Sequence, residues 1–339
     1  MIVKSNVNQE MVVEKENWQK VMASAIKDPL ELLDLLELSD DVNRDKLYFP
    51  KKFKMLVPLS YVKKMRKRDW NDPLLKQVLP TSSETEAVFG FVSDPVGDLN
   101  SEVSSGVLHK YQGRVLLVTT GVCAVHCRYC FRQHFPYGDS LADKKHWQTT
   151  LEKLKEDNTI KEVILSGGDP LMLIDSRLQS MCEVIASIPH IKTIRFHTRV
   201  PLFLPERITQ EFLTWFKALK VQKVIVIHAN HVNELDDAVG VVLSELKNSG
   251  ATLLNQSVLL KDVNDNVESL RKLSEKLFEF EVLPYYLHQL DKVKGAAHFE
   301  VDRLEAIALM NQLKEVLPGY LIPKYVEEVS GERSKQSIV

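Results

Sequence analysis

The chain has 339 residues, a formal net charge of −2, 44% hydrophobic and 27% charged residues, enough apolar content to bury an ordinary core in one large domain or two unequal ones. A near-neutral balance gives no general attraction to nucleic acid or to an anionic membrane. No apolar run reaches about 18 residues, the N-terminus lacks a signal peptide's regions, and three of the four cysteines are clustered, so a cytoplasmic protein in a reducing compartment is expected.

Residues 1–100 read as a mainly helical, polar cap, and residues 101–339 as the unit that carries the chemistry. Asp28 and Pro29 form an N-cap and first-turn pair opening a leucine-rich helix with Leu30, Leu33 and Leu36. Ser60 is placed to cap a second helix running through the basic stretch 63–68. That stretch reads either as a solvated face or as a docking surface for an acidic partner. Asn71-Asp-Pro-Leu-Leu75 and Val92-Ser-Asp-Pro-Val-Gly-Asp98 read as turns punctuated by proline and glycine.

From about residue 114 the texture changes. Apolar runs at 114–119, 162–166, 193–198, 223–229, 251–260 and 282–289 alternate with amphipathic helical segments, the pattern of βα units around a parallel sheet buried on both faces. Six units fall short of a closed eightfold barrel, so the fold class is α/β, a partial (βα)6 TIM-like barrel. Polar clusters fall at the strand ends: a cysteine loop, then Ser166-Gly-Gly-Asp-Pro170, His197-Thr-Arg199, His228-Ala-Asn230, Asn255-Gln256 and His288-Gln-Leu-Asp291. Parallel barrels carry their sites there. Cys182, at helical spacing among apolar residues, reads as plain core.

The cysteine loop is the sharpest signal. Cys123, Cys127 and Cys130 are too close together for a disulfide framework, and soft thiolates suit zinc or an iron–sulfur cluster. Spacings of four and three would also align three small thiols on one helix face. Gly121 just before them, with His126 and Arg128 between them, favours a loop leaving a strand. Three thiolates on a cubane of four irons leave one iron open to a ligand. Gly167 and Gly168 permit main-chain groups to approach closely.

Cys-x3-Cys-x2-Cys with an aromatic before the third cysteine resembles the signature of the radical S-adenosylmethionine (radical SAM) enzymes, whose open iron chelates S-adenosylmethionine. The glycine pair with Asp169 resembles the segment that contacts that molecule's amino group, and His228 and Gln256 fall where it is bound. A closer resemblance is to the lysine 2,3-aminomutases, from about Asp72 to Lys335. It rests on Gly90-Phe-Val-Ser-Asp-Pro95, Cys127-Arg-Tyr-Cys-Phe-Arg132, Leu165-Ser-Gly-Gly-Asp-Pro170, Asn255-Gln-Ser-Val-Leu-Leu260 and Pro284-Tyr-Tyr286. The resemblance implies a [4Fe–4S] cluster, S-adenosylmethionine and pyridoxal 5′-phosphate, free L-lysine as substrate and a radical-driven amino migration from C2 to C3. An external one-electron donor of the flavodoxin or ferredoxin type is implied as well.

By the same resemblance, Gly331-Glu-Arg-Ser-Lys335 is the segment whose lysine holds pyridoxal phosphate as a Schiff base. Seen alone, a lysine four residues from the end of this sequence would be expected in a disordered tail; the resemblance implies instead a tail folded back to the site. Arg132 resembles the arginine that grips the substrate carboxylate. Asp291 and Glu328 stand at the two acids that recognise the distant amino group, with Glu328 in place of an aspartate. Lys110, Arg114 and Arg199 are candidates for the cofactor phosphate, Lys110 replacing an arginine. The continuation Phe131-Arg-Gln-His-Phe-Pro-Tyr137, in place of an arginine run, and the end of the sequence soon after Lys335 resemble the short bacterial branch. That branch makes (R)-β-lysine for a ligase acting on elongation factor P. Self-association is compatible with the reading. Alternatives are a radical enzyme without pyridoxal phosphate, one acting on another amino acid such as glutamate, or a non-catalytic iron–sulfur protein.

Overall fold

A computed structural model describes residues 17–138 and 144–339. One sheet of ten strands runs in sequence order: β1 (Glu102–Ser104), β2 (Val107–Tyr111), β3 (Arg114–Thr120), β4 (Glu162–Gly167), β5 (Thr193–Thr198), β6 (Gln222–Ile227), β7 (Ala251–Val258), β8 (Leu283–His288), β9 (Lys324–Glu327) and β10 (Gln336–Ser337). All six expected strands are present as β3 to β8. Their parallel pairing continues to β9, so seven strands run parallel. Not foreseen from the sequence are β9, a four-residue strand, and the antiparallel strands β1 and β2 at one end of the sheet and β10 at the other.

Strand side chains alternate in period two, and here the two faces have different duties. In β5, Ile194 and Phe196 are fully buried, and Phe196 meets Phe216 of the helix Gln210–Ala218 edge-on at 5.6 Å. The intervening Arg195 and His197 face a cavity instead. That cavity is lined by residues from β2 through to Glu328, just after β9, so the open sheet curls around it.

In the cap, Asp28 accepts from the Leu30 N–H and Pro29 opens α-helix Pro29–Leu35, as expected. Its Leu32 and Leu33, with Tyr61 and Leu74 further along, belong to the same buried core as Leu165, Phe196 and Phe203 of the barrel. Residues 1–16 of the proposed cap lie outside the described residues.

The second cap helix differs from expectation. It spans only Leu59–Val62 with Pro58 at its N-cap, and the Ser60 hydroxyl donates to the Phe203 carbonyl at 2.5 Å. Residues 63–68 form turns. The basic stretch is largely paired within the protein: Lys64 with Asp236 and the carbonyls of Leu202 and Glu234, Arg66 with Asp69 and Asp72, Lys67 and Arg68 with Glu37. Cys182 is fully buried core, as read from its spacing.

The C-terminal segment folds back. Gln336 and Ser337 pair with Glu327 and Val326, and the Ile338 N–H donates to the Tyr325 carbonyl at 2.9 Å. This short antiparallel return directs Lys335 into the cavity.

Candidate active site

Every site residue proposed from the sequence lines this one cavity of about 310 Å³. The three cysteines sit on an irregular loop after β3 rather than on a helix. The cap holds that loop. The His126 N–H donates to Leu56 and the Arg128 N–H to Gln77, while the His126 ring meets the Lys54 carbonyl at 2.6 Å. The Arg128 guanidinium, nearly inaccessible to solvent, grips Glu84 through Nε (2.8 Å) and Nη2 (2.5 Å) and donates through Nη1 to the Phe53 carbonyl at 2.9 Å. Paired guanidinium–carboxylate contacts of this kind fix geometry as well as charge. Burial pushes the bare thiols up, Cys130 to about 11 with help from neighbouring Cys127, and Cys123 further. Among the described residues no three His, Cys, Asp or Glu side chains gather around a single ion-sized point. A cubane tolerates that spread, because each thiolate binds a separate iron.

The glycine pair turns out to serve the cysteine loop itself. Gly167 has φ +123°, a conformation that favours glycine, and a Cβ on Gly168 would lie 2.4 Å from the Val122 carbonyl oxygen. The N–H groups of Gly168 and Asp169 donate to Thr120 and Val122 at 2.6 and 2.8 Å, lashing the end of β4 to the chain entering the loop. Gly168→Ala is therefore expected to cost about 1–3 kcal/mol, as overpacking does, and to lower the iron retained after anaerobic reconstitution; thermal unfolding and iron assay check both.

Asp169 is buried and anchors the end of β5 through the Thr198 hydroxyl (2.8 Å) and the Arg199 N–H (2.7 Å). Burial raises its carboxyl to about 6 despite these donors. Arg199, a phosphate candidate by sequence, is buried beside the cysteine loop. Its Nη1 reaches Cys127 Sγ at 2.7 Å and the Tyr129 hydroxyl, and its Nη2 reaches Glu234 at 2.7 Å. Glu234, Gln77, Tyr129 and Asn230 complete this buried network. Hydrogen bonds to sulfur are among the factors that set a cluster's potential, so Arg199 belongs to the cysteine end.

Around the cavity the Nε2 atoms of His197, His228 and His288 are buried without a partner among the described residues. Burial holds all three rings neutral, His228 at about 3. Buried polar atoms ordinarily have partners, and three without one beside a single cavity fit a polar ligand in it.

The far side of the cavity is a chain of alternating charges. Arg132 Nε meets Asp98 at 2.7 Å, Asp98 meets Lys110 at 2.7 Å, Lys110 meets Glu328 at 3.0 Å, and Glu328 meets Lys335 at 2.6 Å. Burial alone would raise the Glu328 carboxyl, but the Lys335 and Lys110 ammonium groups outweigh it and hold it well below the usual carboxylate range. An ammonium has three donors, and Lys110 directs them at Val96, Asp98 and Glu328. Each of the three Lys110 donors thus has a protein acceptor, while the residue stays in the cavity wall. Arg114, the third phosphate candidate, lies 4.9 Å over the Tyr111 ring with no ion pair among the described residues. Asp98 belongs to this chain of charges although the sequence around it, Val92 to Asp98, carries only a turn signal.

The Radical SAM superfamily profile matches residues 117–279. The chain is 43% identical to L-lysine 2,3-aminomutase of Haemophilus influenzae, over 96% of this chain and 97% of that one. It is 45% identical to L-lysine 2,3-aminomutase of Escherichia coli, over 95% and 94% of the two chains. The chain belongs to the lysine 2,3-aminomutase family of radical SAM enzymes. At greater distance, L-lysine 2,3-aminomutase of Clostridium subterminale is 30% identical over 95% of this chain and 78% of its own. Radical SAM membership brings with it a [4Fe–4S] cluster and S-adenosylmethionine. The three loop thiols are unbridged, and soft thiolates suit the iron of such a cluster.

Proposed function

We propose that the protein converts L-α-lysine to β-lysine, moving the amino group from C2 to C3 with the help of a [4Fe–4S] cluster, S-adenosylmethionine and pyridoxal 5′-phosphate. The observation that carries this reading is that Lys335 and the three loop cysteines line one cavity, with Arg132 and the acids Asp291 and Glu328 in its wall. The cluster and S-adenosylmethionine supply a radical initiator, and pyridoxal phosphate supplies a conjugated system that spreads an unpaired electron. Cys123, Cys127 and Cys130 would hold the cluster. His228, Gln256 and the backbone around Gly167, Gly168 and Asp169 would hold S-adenosylmethionine, and Lys335 with Arg114 would hold pyridoxal phosphate.

Arg132 presents a buried guanidinium to the lysine carboxylate, while Asp291 and Glu328 offer two carboxylates to the side-chain ammonium. A shorter or neutral amino acid would leave the buried Asp291 without a cation, and sites built on polar contacts reject such analogues strongly. Tyr111, Tyr285 and Tyr286 wall the Lys335 side of the cavity, excluding water from the aligned groups.

Asp291 gives this reading a pH dependence. Burial, and then the neighbouring Glu328 charge, raise its carboxyl to about 7, against the opposing pull of Lys335 and Lys110 and with a smaller push from Asp98. Below that pH the acid is protonated and must release its proton to pair with an ammonium. Lysine affinity is expected to rise with pH by up to about tenfold per unit, levelling off above about 7. Calorimetric titration of the enzyme lacking S-adenosylmethionine checks this; Asp291→Asn should flatten the rise.

We further read the product as destined for a separate ligase that modifies elongation factor P, in the cytoplasm. This is supported by the Phe131-to-Tyr137 continuation. Presenting free lysine, arginine, glutamate and lysyl-modified elongation factor P to the reduced enzyme tests the assignment. Turnover of free lysine supports it; turnover confined to the modified protein, or a preference for glutamate, contradicts it.

A further inference from the structure

Asp98 has no role in the proposed reaction, yet it links the two ends of the charge chain. Its side chain is 3% exposed. One oxygen takes Lys110 Nζ at 2.7 Å and the other takes Arg132 Nε at 2.7 Å. Through Lys110 it is one contact from Glu328.

Its placement is over-determined. The Asp98 and Leu99 N–H groups donate to the two oxygens of Asp94 at 3.0 and 3.1 Å. Gly97, at φ +65°, is pressed so closely on the C-terminal segment that a Cβ there would lie 2.2 Å from Ser330 Oγ. The loop holding Asp98 therefore packs directly against the segment that carries Glu328 and Lys335. On Arg132, Asp98 takes Nε and Ser166 takes Nη1, so the guanidinium can turn towards a ligand in only one orientation.

We propose that Asp98 is a positioning residue that sets the separation between the carboxylate-gripping Arg132 and the ammonium-gripping Glu328, and so the length of basic amino acid held at both ends at once. The inference rests on the lysine reading of the preceding subsection. With the separation fixed, a chain one methylene shorter reaches only one end. With Asp98 neutralised, Arg132 and the Lys110–Glu328 pair are free to shift independently, and the penalty on the shorter chain falls.

The test uses reconstituted holoenzyme carrying Asp98→Asn, which preserves shape, and separately Asp98→Glu, which preserves charge but not length. For each, kcat and KM for lysine and the inhibition constant of ornithine are measured, with iron content and cofactor absorbance as folding controls. The expected result is a KM for lysine raised about tenfold or more with kcat changed far less, and a lysine-to-ornithine preference reduced by about tenfold or more. A purely structural role would lower cluster content and kcat but leave that preference alone. An unchanged preference in both variants overturns the proposal. Wild-type enzyme that turns over no lysine would instead overturn the reading on which it rests.

Discussion

Lys335→Ala is expected to abolish the visible absorbance of bound pyridoxal phosphate and to lower activity by roughly 10³-fold or more, as loss of a covalent catalytic group does, while leaving iron and sulfide content unchanged. The separation of the two effects follows from where Lys335 sits. It enters the cavity on a C-terminal segment tied down by the two-residue strand β10, whereas the cysteine loop is held by the cap through Glu84, Gln77 and the 53–56 backbone. Losing the ammonium leaves Glu328 with Lys110 as its counterion, so the fold keeps a paired acid there. A variant that retained the absorbance, or one that lost its iron as well, would show that Lys335 does something else.

Glu84→Gln is expected to do the reverse. Glu84 and Arg128 form a buried pair with side chains 3% and 1% exposed, and removing one charge strands the other in a low-dielectric interior, at a cost of about 3–5 kcal/mol. Arg128 lies between the second and third cysteines, so the disturbance falls on the ligands themselves. Lower thermal stability together with loss of most reconstituted iron is the expected outcome, with the Lys335 end of the cavity still able to take up pyridoxal phosphate. Wild-type iron content in this variant would mean that the cap does not hold the loop.

Much of the architecture was legible because parallel strands buried on both faces leave continuous apolar runs, and functional side chains collect at their ends. Cys123, Cys127 and Cys130 announced themselves by residue type and spacing. Asp98 and Glu84 did not, because a single acid in a turn looks the same in sequence whether it meets solvent or a guanidinium distant in the chain. Arg199 and Lys110 were legible as site residues, but their protein partners were not: position gives proximity to a site, while the direction of a long side chain is set by acids such as Glu234 and Asp98 contributed from elsewhere. The helix expected over residues 63–68 failed for a related reason. Lys64 is drawn inward by the Leu202 and Glu234 carbonyls and by Asp236, tertiary contacts that local propensity does not contain. Lys335 depended entirely on resemblance, since a return strand of two residues leaves almost no periodic signal.

The central claim is that one cavity moves an amino group within a single lysine molecule. Its most direct test supplies the anaerobically reconstituted, reduced holoenzyme with S-adenosylmethionine and lysine carrying heavy nitrogen at its α-amino group, and locates the label in the product by nuclear magnetic resonance. The account predicts β-lysine with the heavy nitrogen on C3 and none released to the medium. Label released as ammonia, or lysine recovered unchanged from enzyme with full cluster and cofactor content, would contradict it.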